Sequence, residues 1–232
     1  MTEMSMKMTK SKTASVQDAK FVILLCGPRH DRLTEFTSTL LDDFPADFGT
    51  PSLHKLEEPL SYEQLLDDLA IGPEAGNIAL VFSGHGTLDS LQGPGRVLDS
   101  PDHSLSRSRF YDESFLHLGP QLMLAFCCNA AVGLGRSFEF KTSDRTFVGF
   151  NDMIGFVTKG RVYAEWSRRI LQVTALAILK DGDVEDLKDA VRNVYQDALA
   201  FFRRNDKKYR YARMMRFYLR QQWDSIEFIK SY

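Results

Sequence analysis

Two short blocks of this sequence pair a base with a nucleophile. In VFSGHG (81–86) His85 stands between two glycines just after an apolar run, and in LAFCC (124–128) a cysteine pair ends another. The thiolate, not the thiol, attacks a carbonyl carbon, and a free cysteine is mostly protonated at neutral pH. An imidazole beside it supplies the base and later protonates a leaving amine. Gly84 and Gly86 permit close backbone approach beside the histidine, and their N–H groups suit a developing oxyanion, a contact whose loss costs about 2.7–4 kcal/mol in acyl transfer. Each residue also has a plain alternative, since histidines at strand ends are commonly hydrogen-bonded loop residues and cysteines are often small buried apolar groups. The joint order is more telling: apolar strand, His-Gly, spacer, apolar strand, Cys.

That chemistry needs the two blocks at one edge of a sheet. FVILLCG (21–27), NIALVFSGHG (77–86), QLMLAFCC (121–128) and RTFVGFND (145–152) are short apolar runs, the pattern of strands buried on both faces. Between and after them lie amphipathic segments: DRLTEFTSTLLDDF (31–44), SYEQLLDDLA (61–70) with Ser61 and Gln64 spaced as a capping box, AEWSRRILQVTALAILKDG (164–182), and VEDLKDAVRNVYQDALAFFRRN (184–205) behind a capping Asp183. Alternating strands and helices predict an α/β fold with a mostly parallel sheet and helices on both faces. In such sheets functional groups collect at the carboxyl ends of the strands. On a strand adjacent side chains point to opposite faces, so only one of Cys127 and Cys128 can face His85. Cys128, nearer the strand end, is the preferred nucleophile, with Cys127 and Cys26 read as small core residues. The stretch 87–120 is a long irregular loop, and the tail 209–232, with seven aromatic residues, is read as a final helix. Residues 1–19 read as a flexible leader, 20–205 as the main domain and 206–232 as a helical, aromatic-rich extension packed on it.

Composition excludes several classes of function. Lys+Arg 29 against Asp+Glu 31 gives a net charge of −2, so no overall positive field invites nucleic acid or an anionic membrane. Three cysteines, two of them adjacent, suit a reducing compartment better than a disulfide framework and lack zinc-site spacing. No apolar run approaches the roughly 20 residues that span a bilayer, and the polar N-terminus is unlike a signal peptide. His30, His54, His103 and His117 lack ligand-like spacing, and GPGR (93–96) is a turn and not a phosphate loop. A cytoplasmic protein without metal or organic cofactor is the expectation.

The two blocks resemble those of the caspase–legumain superfamily of cysteine peptidases, in which a His-Gly closes one strand and a Cys closes the next. Here His85 and Cys128 are 43 residues apart, against roughly 50 in caspases. Within that superfamily the chain is most similar to the CHAT branch, whose second block typically reads Ala-Cys-x-Thr-Ala. This sequence has Cys127-Cys128-Asn129-Ala130-Ala131, with Cys127 at the Ala and Ala130 at the Thr. The Gln-Ala-Cys-x-Gly signature of true caspases is absent. The resemblance spans roughly residues 20–202 and implies a three-layer caspase-like sandwich and a cysteine endopeptidase. The His85/Cys128 dyad would cut a protein substrate, and Gly86 and Cys128 would form the oxyanion hole. It further implies a pocket lined by Arg29, Asn129 and Asp152. Arg29 suits an acidic side chain and Asp152 a basic one, while each is also an ordinary solvated charge or turn cap. Control by a regulatory protein partner, in a bacterial stress or antiviral defence pathway, is implied in the same way. The reading from a different class is a catalytically silent scaffold docking partners through the aromatic tail.

Overall fold

The computed structural model describes residues 19–26, 32–41, 53–56, 77–86, 90–92, 104–106, 122–136, 146–179 and 184–230. The expected leader, Arg29, the Ser61/Gln64 capping box, Asp183 and most of 87–120 lie outside the described residues.

The fold is mixed α/β. Strands β1 (Ala19–Cys26), β2 (Leu53–Leu56), β3 (Asn77–Ser83), β6 (Leu122–Phe126), β7 (Thr146–Phe150) and β8 (Ile226–Lys230) form a six-stranded sheet of order β2-β1-β3-β6-β7-β8. All neighbours are parallel except β7 and β8. A separate antiparallel ribbon of β4 (Ser90–Gln92) and β5 (Ser104–Ser106) forms within the stretch read as an irregular loop. The four apolar runs became β1, β3, β6 and β7, as their composition predicts for strands covered on both faces. Every residue of β7 is buried, as are Met123 to Phe126 of β6.

Helix α1 (Arg32–Thr39) places Phe36 in the core, and Leu40 and Leu41 follow it there. Its end is fixed from two sides. The buried Ser83 hydroxyl, at the end of β3, donates to the Thr37 carbonyl at 3.2 Å, and Arg168 donates to the Thr39 carbonyl at 3.1 Å. The first of these contacts pins the residue from which the Gly84-His85 turn departs. Helices α2 (Arg161–Leu179), α3 (Val184–Arg204) and α4 (Ala212–Ser225) follow. Their buried faces recur at helical spacing: Tyr163, Ser167, Ile170, Leu171 and Thr174 on α2, and Leu187, Val191, Val194, Ala198 and Phe202 on α3. Tyr163 joins the set by stacking on Phe202 with ring centroids 5.4 Å apart, while its hydroxyl accepts the Tyr211 N–H at 2.9 Å.

The tail departs from its expected helix. The helical part stops at Ser225, Ile226 turns extended (φ −74°, ψ 131°), and IEFIK becomes β8, antiparallel to β7. The reason is the sheet's own demand. Without β8 the buried β7 would leave one row of backbone N–H and C=O groups unpaired, which is costly away from water. Ile226–Lys230 is thus the sixth strand of the sheet.

Candidate active site

The His85 and Cys128 blocks belong to neighbouring strands. β3 and β6 run parallel in a register that pairs Ala79 with Leu122 and ends with Ser83 opposite Phe126. His85 and Cys128 each lie two residues beyond that last pair, so both leave the carboxyl edge of the sheet from adjacent strands, which lie about 4.8 Å apart. His85 is half-buried. Gly86 packs directly on the cysteine pair. A Cβ there would lie 2.9 Å from the Cys128 carbonyl oxygen and 3.0 Å from Cys127 Cβ, and would overlap Cys127 Sγ. Only glycine lets the His85 turn approach this closely.

The two cysteines have different surroundings. Cys127 is buried, with its sulfur against Gly86. Burial, and secondarily the neighbouring Cys128, push its thiol well above the ordinary range. Cys128 is half-buried, and its sulfur is turned toward the segment that follows β7. The Ile154 N–H donates to Cys128 Sγ at 3.4 Å, and the Ile154 carbonyl lies 3.9 Å from the same atom. The accessible thiol is therefore Cys128, while the one nearest the glycine is a shielded core group.

Cys127 gives a pH signature. A thiol whose folded-state pKa is raised contributes stability that is complete below the unfolded value of about 8.5 and is lost as pH rises through the folded value. Burial also pushes the Tyr195 phenol up, but its contribution begins only above about pH 10. Between about pH 8.5 and 10 the wild-type chain is expected to lose stability faster than Cys127→Ala, by about 1.4 kcal/mol per pH unit. Urea unfolding across that range measures the difference, and equal slopes would show that Cys127 is not shielded.

Beyond Cys128 the chain turns through Asn129, whose φ of +57° is one of the few left-handed conformations an asparagine adopts readily. A short π-type turn, Ala131–Gly135, follows. The Asn129 N–H donates to the Asp152 carbonyl at 3.1 Å, so the structure brings these two expected pocket residues together through their backbones. The Asp152 carboxylate is exposed and accepts the Met153 N–H at 2.6 Å. Arg29, the third expected pocket residue, lies outside the described residues. Comparison with protein-family models, with curated proteins and with solved structures finds no match for this chain.

Sequence reasoning missed the partner of the Cys128 thiol, the backbone of Ile154. No side-chain signal announces it, because the contact is made by a main-chain N–H whose place is set by register. Among the described residues no group of three or more His, Cys, Asp or Glu side chains is arranged to hold a metal ion, and no helix is long and apolar enough to cross a membrane. A groove of about 230 Å³ between α3 and α4, lined by Gln196, Leu199, Ala200, Arg203, Arg216 and Arg220, shares no residue with the cysteine turn.

Proposed function

We propose that this chain is a cysteine endopeptidase of the caspase-like, CHAT-like kind, working through a His85/Cys128 dyad. The observation that carries the reading is the parallel β3–β6 register, which starts His85 and Cys128 from equivalent positions on adjacent strands. The half-buried state of Cys128, against the buried Cys127, supports the choice of nucleophile. The sheet order β2-β1-β3-β6-β7-β8 with an antiparallel last strand is compatible with the proposed three-layer sandwich.

In this scheme His85 takes the Cys128 thiol proton and the sulfur adds to the scissile carbonyl carbon. The carbonyl oxygen becomes an oxyanion held by the N–H groups of Gly86 and Cys128. Collapse breaks the C–N bond, and the imidazolium gives its proton to the departing amine. A water, deprotonated by His85, adds to the thioester. Expulsion of the Cys128 thiolate then frees the new carboxyl terminus, and the proton returns to sulfur. The dyad carries the whole proton inventory, so the scheme calls on no metal or organic cofactor. The Ile154 N–H donates to Cys128 Sγ and fixes where the sulfur sits. Asn129, Asp152 and Arg29 would line the pocket for the residue before the cut, and a regulatory protein partner would switch activity on in a cytoplasmic stress or defence setting.

A second reading, a silent scaffold, is favoured by one feature: Met214 and Phe217 stand exposed on α4, Phe217 at 63%. Incubation of the chain with a proteome-derived peptide library, alone and with candidate partners, separates the two. New N-termini that disappear in Cys128→Ala support the peptidase. Binding of a partner without any new N-terminus supports the scaffold.

A further inference from the structure

The segment that meets Cys128 is tied to the C-terminal helix at both of its ends. At one end the Asn151 N–H donates to the Ser225 carbonyl at 2.8 Å. At the other, Gln222 Nε2 donates to the Gly155 carbonyl at 2.7 Å. Between these anchors the segment contacts the cysteine turn twice, the Asp152 carbonyl accepting from Asn129 N–H and the Ile154 N–H donating to Cys128 Sγ. Anchors and contacts alternate along five residues: 151 and 155 face α4, while 152 and 154 face the nucleophile.

Gln222 is only 2% exposed, and both ends of its amide are used. Its Oε1 accepts the hydroxyl of the buried Tyr195 at 3.3 Å, which leaves Nε2 for Gly155. A buried amide satisfied at both ends has one orientation, because any other leaves polar groups unpaired. Gly155 lies flat on the Tyr218 ring, where a Cβ would overlap the ring's edge and stand 3.0 Å from its Cγ. A side chain at this position would have to displace the Tyr218 ring. The chain from Tyr195 on α3, through Gln222 on α4, to Gly155 and Ile154 is therefore continuous and ends at the sulfur.

We propose that Gln222, held by Tyr195, is a positioning residue for Cys128, fixing from α4 the Ile154 amide that donates to the thiol. This rests on the reading of Cys128 as the nucleophile, and it gives α4 a part in the site. In general a hydrogen-bond donor held at a sulfur stabilises a thiolate, the form that reacts, more than a thiol. Among the described residues, the titratable and charged groups on the elements around Cys128 include Cys127 and Arg136 on its own turn, His85 beyond β3, Asp152 and Lys159 in the segment after β7, Tyr218 and Asp224 on α4 and Glu227 on β8. None of the substitutions below alters them.

The experiment is the pH profile of Cys128 alkylation by iodoacetamide in the full chain, resolved by mass spectrometry, together with hydrogen exchange at the Ile154 amide. Wild type is compared with Gln222→Met, Tyr195→Phe and, as a control for stability alone, Val191→Ala. Gln222→Met is expected to slow labelling at neutral pH by roughly fivefold to tenfold, the scale of one lost hydrogen bond, to move the profile upward and to speed Ile154 exchange. Tyr195→Phe should change both in the same direction and by less. Val191→Ala should lower the melting temperature and leave the profile in place. The proposal is overturned if folded Gln222→Met keeps the wild-type profile, or if Val191→Ala shifts it as far. Should Gln222→Met fail to fold, Tyr195→Phe decides alone, and a wild-type profile there overturns it. Iodoacetamide reads the thiol without peptide turnover, so a chain that cleaves no peptide still returns an answer.

Discussion

Replacing Cys128 with alanine is expected to abolish peptide hydrolysis, a loss of about 10⁴-fold or more, while Cys127→Ala keeps turnover within a few-fold of wild type. The contrast is demanding because the two residues are adjacent and chemically identical. Their environments separate them. Cys127 is packed against Gly86 with its thiol held neutral by burial, whereas Cys128 is half-buried with a backbone N–H aimed at its sulfur. His85→Ala should fall nearly as far as Cys128→Ala, since base and nucleophile act as a unit. Progress curves with a cleavable peptide measure all three variants, and melting curves confirm that each is folded. A Cys127→Ala variant that loses activity while Cys128→Ala keeps it would exchange the two assignments.

The second large effect is expected at Gly86. An alanine Cβ there meets the Cys128 carbonyl oxygen at 2.9 Å and Cys127 Cβ at 3.0 Å, and overlaps the Cys127 sulfur. One of these obstacles is a side chain and another is backbone. The His85 turn must move away from β6, and a displacement on the order of 1 Å in a catalytic group costs about 100-fold in rate. Overpacking at a close contact costs about 1–3 kcal/mol in stability as well. The double variant Gly86→Ala/Cys127→Ala removes the sulfur but not the carbonyl, so it should recover part of the stability and less of the rate. Urea unfolding and turnover on the four corners of that cycle give the coupling directly. Additive effects would mean that Gly86 does not rest on Cys127.

Much of the scaffold was legible because its central strands are continuous apolar runs. β1, β3, β6 and β7 all announce themselves in this way, and the glycines at Gly27 and Gly84 mark where two of them end. The amphipathic spacing of α2 and α3 was equally plain. β2 was not, because LHKL is four residues with a histidine and a lysine at its centre, too short to show a period. β8 was hidden by its neighbourhood. IEFIK follows a helix directly and reads as more of the same aromatic tail, and only the open edge of β7 makes it a strand.

The site divides along the same line. The residue types and their order along the chain nominate His85, Gly86 and Cys128 as candidates, since that nomination rests on local chemistry. The closeness of Asn129 to Asp152, the role of Ile154, and the hold of Gln222 on Gly155 depend on register and on contacts between residues as far apart as 155 and 222. No single-sequence pattern carries that information. The two sulfurs meet different neighbours, Gly86 for Cys127 and the Ile154 backbone for Cys128, and no sequence pattern named either.

The most direct test of the dyad is covalent labelling by peptide-based electrophiles, acyloxymethyl or chloromethyl ketones with varied side chains, followed by mass spectrometry of the modified peptide. Wild type, Cys127→Ala, Cys128→Ala and His85→Ala are compared with and without candidate partner proteins. An adduct confined to Cys128, retained in Cys127→Ala and lost or strongly slowed in His85→Ala, is the predicted result. An adduct on Cys127, or one on Cys128 that forms at the same rate without His85, would contradict the account.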